Sequence, residues 1–162
     1  MGEFWGRRAD MAALGSELAE VRRTGQGRMV AIRGRRQSGK SRLVIEFVED
    51  AEVPYLFTTA VKNAGPAVQL ETVMEDLAVS RTPLPHNAVA FAAPASSWTD
   101  LFARLPLAIG DHEAVVVLDE FPWAVETDDT LEGVLQNAWD RTLERLPILV
   151  ILVGSDMATM CP

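Results

Sequence analysis

Two unbroken apolar runs, Ala114–Leu118 and Ile148–Val153, constrain the fold of this chain more than any other feature. A strand with one wet face alternates apolar and polar residues, and these runs do not. They predict strands covered on both faces by helices, as in a parallel sheet. Met29-Val30-Ala31-Ile32 and Pro54–Thr59 read as two shorter strands. Between the strands, apolar residues recur at helical spacing: Met11, Leu14, Leu18 and Val21; Leu43, Val44, Phe47 and Val48; Leu70, Val73, Met74 and Leu77 within Gln69–Ala78. Ser97 and Asp100 form a capping-box pattern ahead of Leu101, Phe102, Leu105 and Ile109, and Gly110 stops that helix. Leu131, Val134, Leu135, Ala138, Trp139 and Leu143 mark one more helix. Gly25-Gln26-Gly27 reads as a turn, and Arg81–Pro94, with three prolines, as a loop. Strands alternating with helices predict a three-layer α/β/α domain with a mostly parallel, doubly wound sheet.

Length and charge narrow the ligand. The 162 residues suit one folding unit, and 48% hydrophobic with 23% charged residues is ordinary globular composition. No apolar run approaches the roughly 20 residues that cross a bilayer, and the N-terminus lacks an apolar signal segment, so a cytoplasmic protein without membrane partners is expected. Cys161 has no partner for a disulfide or a zinc cluster, and His86 and His112 stand alone, which argues against a metal or catalytic role for either. Residues 1–42 hold 10 Lys and Arg against 4 Asp and Glu, and the remainder 5 against 19, giving +6 and −14. Such asymmetry fits a polyanion bound near the basic segment, and a nucleoside triphosphate is the economical candidate.

Gly34-Arg35-Arg36-Gln37-Ser38-Gly39-Lys40-Ser41 satisfies G-x-x-x-x-G-K-[ST], between a predicted strand and a predicted helix. Glycines let such a loop curl until successive backbone N–H groups face phosphate oxygens, helped by the positive end of the following helix. Lys40 is then expected to reach the β- and γ-phosphates and the Ser41 hydroxyl to ligate magnesium. Arg33, Arg35, Arg36 and Arg42 flank the loop, and solvated arginines are the simpler reading of each, with at least one a candidate for phosphate contact.

The second half of the site is Val115-Val116-Val117-Leu118-Asp119-Glu120. A carboxylate at the C-terminal end of a buried strand sits where α/β sheets bind ligands. Asp119 is expected to hold Mg2+ through water, and Glu120 to polarise the water that attacks the γ-phosphate. Gly154-Ser155-Asp156 closes the last strand, and Ser155 is the candidate to sense the γ-phosphate or orient that water. The domain is thus expected to span 1–162, with a helix at 9–23 leading into a nucleotide-binding core at 28–156.

With these motifs in place, the sequence resembles the archaeal-type ATPases, of the STAND and AAA-like branch of P-loop NTPases. The resemblance rests on Phe4-Trp5-Gly6-Arg7-Arg8, the loop from Gly34 to Arg42, Leu118-Asp119-Glu120-Phe121-Pro122-Trp123 and Val153-Gly154-Ser155. It implies the additional-strand type of sheet, in order 5-1-4-3-2, with Glu120 as the catalytic base and Gly6-Arg7 near the adenine. Members usually continue into a fifth strand, a glycine-arginine element and further domains, whereas this sequence stops at Cys161-Pro162, so a C-terminal truncation is expected. Without the fifth strand an edge of the phosphate-loop strand is left uncovered, inviting self-association. Protein or DNA partners would then be reached through domains beyond this segment.

The expected function is binding of ATP and ADP, with magnesium-dependent hydrolysis of ATP coupled to a conformational change. The alternative is a nucleotide-loaded switch or scaffold with little turnover, favoured by the missing arginine element. A P-loop kinase is a third reading, weakened by the water-activating pair Asp119-Glu120 and by the lack of an arginine-rich lid. DNA binding by the N-terminal arginines is weaker still.

Overall fold

The computed structural model describes residues 2–33 and 39–154, with side chains from residue 9 onward. The chain opens with α1 (Gly2–Thr24), followed by β1 (Arg28–Arg33), α2 (Lys40–Ala51), β2 (Tyr55–Thr59), α3 (Pro66–Val79), α4 (Asn87–Ala90) and α5 (Trp98–Ile109). Then come β3 (Ala114–Asp119), α6 (Phe121–Thr127), α7 (Leu131–Arg141), a 3-10 turn (Leu143–Arg145) and β4 (Ile148–Gly154). All strand pairs are parallel, in the order β1-β4-β3-β2. This is the order 5-1-4-3-2 without its first member; among the described residues no strand pairs with the outer edge of β1.

The two apolar runs became the two central strands, and every residue of β3 and β4 is buried. Side chains alternate across the sheet, so each run feeds two cores. Ala114, Val116, Leu118, Ile148, Val150 and Leu152 face the core shared with α3 to α7. Val115, Val117, Leu149, Ile151 and Val153 face the core shared with α1 and α2. Fully burying each Val, Leu or Ile contributes about 2 kcal/mol, which is why these strands need no polar face. Helices therefore cover both faces, and the sheet is the middle of three layers.

Local chemistry sets the element ends. Thr24 Oγ1 donates to the Glu20 carbonyl (2.8 Å), and Gly25 follows at φ 72° with its N–H on the Val21 carbonyl (2.8 Å), so α1 stops there. Gly27 packs so closely that a Cβ would lie 2.7 Å from the Leu143 carbonyl oxygen and 3.0 Å from the Trp139 ring. The Ser97 hydroxyl accepts from the Asp100 N–H (3.0 Å), as its spacing predicts, but the Asp100 carboxylate returns to the Ser96 N–H (2.9 Å) rather than to that of Ser97.

Three differences from the sequence reading have simple causes. α3 begins at Pro66, three residues before Gln69, because a first-turn proline needs no N–H partner. The stretch Arg81–Pro94 contains the single helical turn α4, held by Asn87 Nδ2 on the Leu77 carbonyl (3.1 Å) and by the His86 N–H on the Ala108 carbonyl (2.8 Å). The segment after β3 forms the short α6 with Pro122 in its first turn, where no helical period is long enough to read.

Candidate functional site

The strand registers bring four C-terminal strand ends level: Arg33 pairs with Gly154, Val153 with Asp119, and Asp119 with Thr59. The N-terminus of α2 arrives at the same edge. Its entry residue, Gly39, has φ 85°, a left-handed conformation that glycine adopts without strain, and the Gly39 carbonyl accepts the first helical bond from the Leu43 N–H (2.9 Å). Lys40 and Ser41 thus stand on the first turn of a helix at the carboxyl edge of a parallel sheet, where ligands bind in this class of fold.

Asp119 is 4% exposed, and each of its oxygens accepts a hydroxyl from a different element. Ser41 Oγ of α2 donates to Oδ1 (2.8 Å), and Thr59 Oγ1 of β2 donates to Oδ2 (2.9 Å). A buried carboxylate is costly unless so compensated. The predicted pair of Ser41 and Asp119 is therefore brought into direct contact across 78 residues of sequence. Both offer hard oxygen donors, the set that a magnesium ion takes, so the residues fit that ion.

Thr59 was not among the predicted site residues. The signal was a hydroxyl pair, Thr58-Thr59, closing an otherwise apolar strand. The two threonines divide their work. Thr59 turns to Asp119, while the Thr58 hydroxyl and the Thr59 N–H both serve the Asp76 carboxylate of α3. Burial raises the pKa of Asp76 above the usual carboxylate range, against the opposing pull of those two donors. Asp76 and Thr59 together form a brace behind Asp119.

Beyond β2, residues 60–65 are clamped by Gln69, which is 2% exposed. Its amide oxygen accepts from the Val61 N–H (2.8 Å), and its NH2 donates to the carbonyls of Val61 (2.8 Å) and Ala64 (3.1 Å). Thr127 Oγ1 of α6 donates to the same Ala64 carbonyl (2.6 Å), tying α6 to that loop.

Glu120 follows Asp119 at the start of α6 with φ 54° and ψ 40°, a left-handed conformation unusual for a residue with a side chain. Such a conformation costs of order 1 kcal/mol or more and persists where surrounding structure imposes it. Here β3 ends with the Asp119 carbonyl accepting from Ala60 N–H (2.9 Å), and α6 starts at once, leaving Glu120 to make the turn.

Lys40 Nζ lies 2.8 Å from Asp10 Oδ2 of α1, with the two side chains 26% and 33% exposed. Arg42, another predicted phosphate contact, is 81% exposed and pairs loosely with Glu46 (3.5 Å) on its own helix. Gly34, Arg35, Arg36, Gln37 and Ser38 of the predicted phosphate loop, and Ser155, lie outside the described residues. So does the side chain of Arg7. A groove of about 210 Å3 runs along the outer edge of β1 under α1, lined by Asp10, Ala13, Leu14, Val30, Ile32 and Lys40 among others.

The sequence pattern of the AAA ATPase domain matches residues 3–151. The chain belongs to that family. The archaeal-type resemblance read from the motifs falls within it, and membership places this AAA ATPase domain in a class that binds and hydrolyses ATP. Among solved structures it is similar to the Aeropyrum pernix ORC2 protein in its ADPNP–ADP complexes, with 24% identity and a TM-score of 0.51. That likeness covers 93% of this chain but only 41% of the other, so the domain spans about two fifths of that protein, and what the two share is the fold. No curated protein matches the chain significantly. No helix of the described residues is long and apolar enough to cross a membrane.

Proposed function

We propose that this AAA ATPase domain binds ATP with magnesium at the carboxyl edge of its sheet and hydrolyses it, coupling turnover to a conformational change. The observation that supports this most directly is the convergence on the buried Asp119 carboxylate of Ser41, which starts α2, and Thr59, which ends β2. In this reading the loop Gly34–Gly39 and Arg42 line the phosphates, and Lys40 neutralises charge on the β- and γ-phosphates. Ser41 and Asp119 would hold the magnesium, with their hard oxygen donors. The ion, when bound, screens the phosphate charge that builds as the bond breaks. Glu120 accepts a proton from the attacking water, and Ser155 orients that water or senses the γ-phosphate. The domain limits follow the same reading, 1–162 with the core at 28–156. A cytoplasmic protein that associates with copies of itself through the outer edge of β1 fits this reading, since no strand of the described residues pairs there.

Calorimetry with ATP and magnesium tests the binding half. The parent should bind saturably, and Lys40→Ala, folded by circular dichroism, should lose at least tenfold in affinity. A folded parent that does not bind sinks the proposal. For the chemical half, Glu120→Gln should keep binding while steady-state phosphate release falls by about 10²–10⁴-fold. Unchanged release in that variant leaves a nucleotide switch with little turnover as the better reading, provided single-turnover release by the parent is also slow.

A further inference from the structure

The pairing of Lys40 with Asp10 joins the residue that would meet the phosphates to a helix outside the sheet. We propose that Asp10 is a built-in stand-in for a phosphate: its carboxylate holds Lys40 until a nucleotide phosphate competes it away, so that nucleotide binding loosens the turn of α1 that carries Asp10. The inference rests on the ATP-binding reading and gives that site a regulator.

Three observations carry it. First, Asp10 Oδ2 sits 2.8 Å from Lys40 Nζ, and a carboxylate offers an ammonium the same charge-assisted acceptor that a phosphate oxygen does. A carboxylate already on that ammonium offsets its charge and repels an incoming phosphate, so the two anions compete for it. Second, among the described side chains, the anchors of α1 lie C-terminal to Asp10. Leu14, Leu18 and Val21 are buried against α2 and the sheet, Glu17 pairs with Arg28, and Arg22 pairs with Glu113 at 2.6 Å. Releasing Asp10 therefore loosens the turn of α1 around it without unseating these contacts. Among the described side chains, Met11, partly buried, would loosen with it. Third, the groove beside the pair, lined by Ala13, Val30 and Ile32 and also by Glu17 and Arg33, leaves the Asp10 side chain open space to move into. Nucleotide in the phosphate site and Asp10 on Lys40 then oppose each other, and each weakens the other by the same factor.

The test uses the full chain, with ATP as the probe, in the parent and in Asp10→Asn. The variant removes the competing charge and keeps the side-chain size, and Asp10 is not part of either core. At low salt it should bind ATP about three- to fivefold more tightly than the parent, the scale of a partly exposed ion pair, and the gap should close near 1 M salt. Hydrogen exchange gives a second readout. In the parent, amides of residues 9–14 should exchange faster once ATP is added, while those of 18–24 stay protected. In Asp10→Asn they should already be fast without nucleotide. Equal or weaker ATP binding by the variant, beside a parent that binds, overturns the stand-in and leaves the ATP reading intact, as does slow exchange in the nucleotide-free variant. No ATP binding by either protein overturns both.

Discussion

Asp119 and Lys40 meet at the same edge of the sheet, but the fold secures them by different means. Asp119 is almost wholly buried, on a central strand whose every residue is covered, and hydroxyls from two neighbouring elements fix both of its oxygens. Lys40 is a quarter exposed, and its described ion-pair partner comes from a peripheral helix rather than from the sheet. One half of the site is thus built by the same burial that stabilises the domain. Among the described residues, the other half is held by the partly exposed pair with Asp10. The difference teaches where ligand-dependent change can start: the strand-end carboxylate is fixed before nucleotide arrives, and the lysine is not.

If that contrast is right, Asp119→Asn should give the largest effect of the changes that separate the two halves, and on chemistry rather than binding. Asparagine fits the same space and keeps one acceptor for a hydroxyl, but lacks the negative charge for magnesium. Phosphate release should fall by about 10²–10³-fold, the scale on which losing one fixed electrostatic group acts, while magnesium-free ATP affinity changes little. Steady-state release and calorimetry in chelator measure the two sides. Equal losses in both would mean that the two halves are not separable.

Thr59→Val should come next, and should act through stability. Valine matches the shape of threonine but leaves Asp119 Oδ2 buried without its donor, which costs about 2 kcal/mol. Urea denaturation should register that loss in the nucleotide-free protein. The corresponding change on the other half, Asp10→Asn, removes a partly exposed pair and should cost less than 1 kcal/mol. A reversed order would contradict the view that only the Asp119 half is built into the core.

A smaller effect should separate Glu120→Gly from Glu120→Ala. Both remove the carboxylate, and only glycine removes the cost of φ 54°, so the glycine variant should be the more stable by about 1 kcal/mol. Equal melting in urea would mean that the turn after Asp119 relaxes once the side chain is shortened.

How much of this could be read in the sequence depends on whether the cause was local. Ala114–Leu118 and Ile148–Val153 announce buried strands because their cover is written into the run itself, and Gly39-Lys40-Ser41 announces a loop-to-helix junction because glycine and helix start are neighbours. The sheet order came from the family resemblance and matches in the four strands described. Thr59, Asp76 and Asp10 were not legible. Each is an ordinary residue whose role comes from another element passing nearby: β3 beside Thr59, β2 beside α3, and α2 beside α1. The short helices α4 and α6 were missed for the related reason that four to seven residues carry too little period to register.

The smallest predicted effect tests how the Asp119 half is braced. Asp76 receives the Thr58 hydroxyl and the Thr59 N–H, and burial lifts its pKa above the usual value of 3.8. Because the folded pKa exceeds the unfolded one, the native state binds more protons across the interval between them. Stability contributed through this group therefore falls as pH rises from about 3.8 to the folded pKa, and is level above it. Asp76→Asn cannot ionise, and its amide oxygen can still accept from Thr59. Relative to the parent, the variant should gain stability with rising pH through that interval and hold the gain near neutrality, as measured by urea denaturation from pH 3.5 to 7. A relative stability that instead fell with pH would mean that the donors outweigh burial at Asp76, and that the brace behind Asp119 tightens on ionisation.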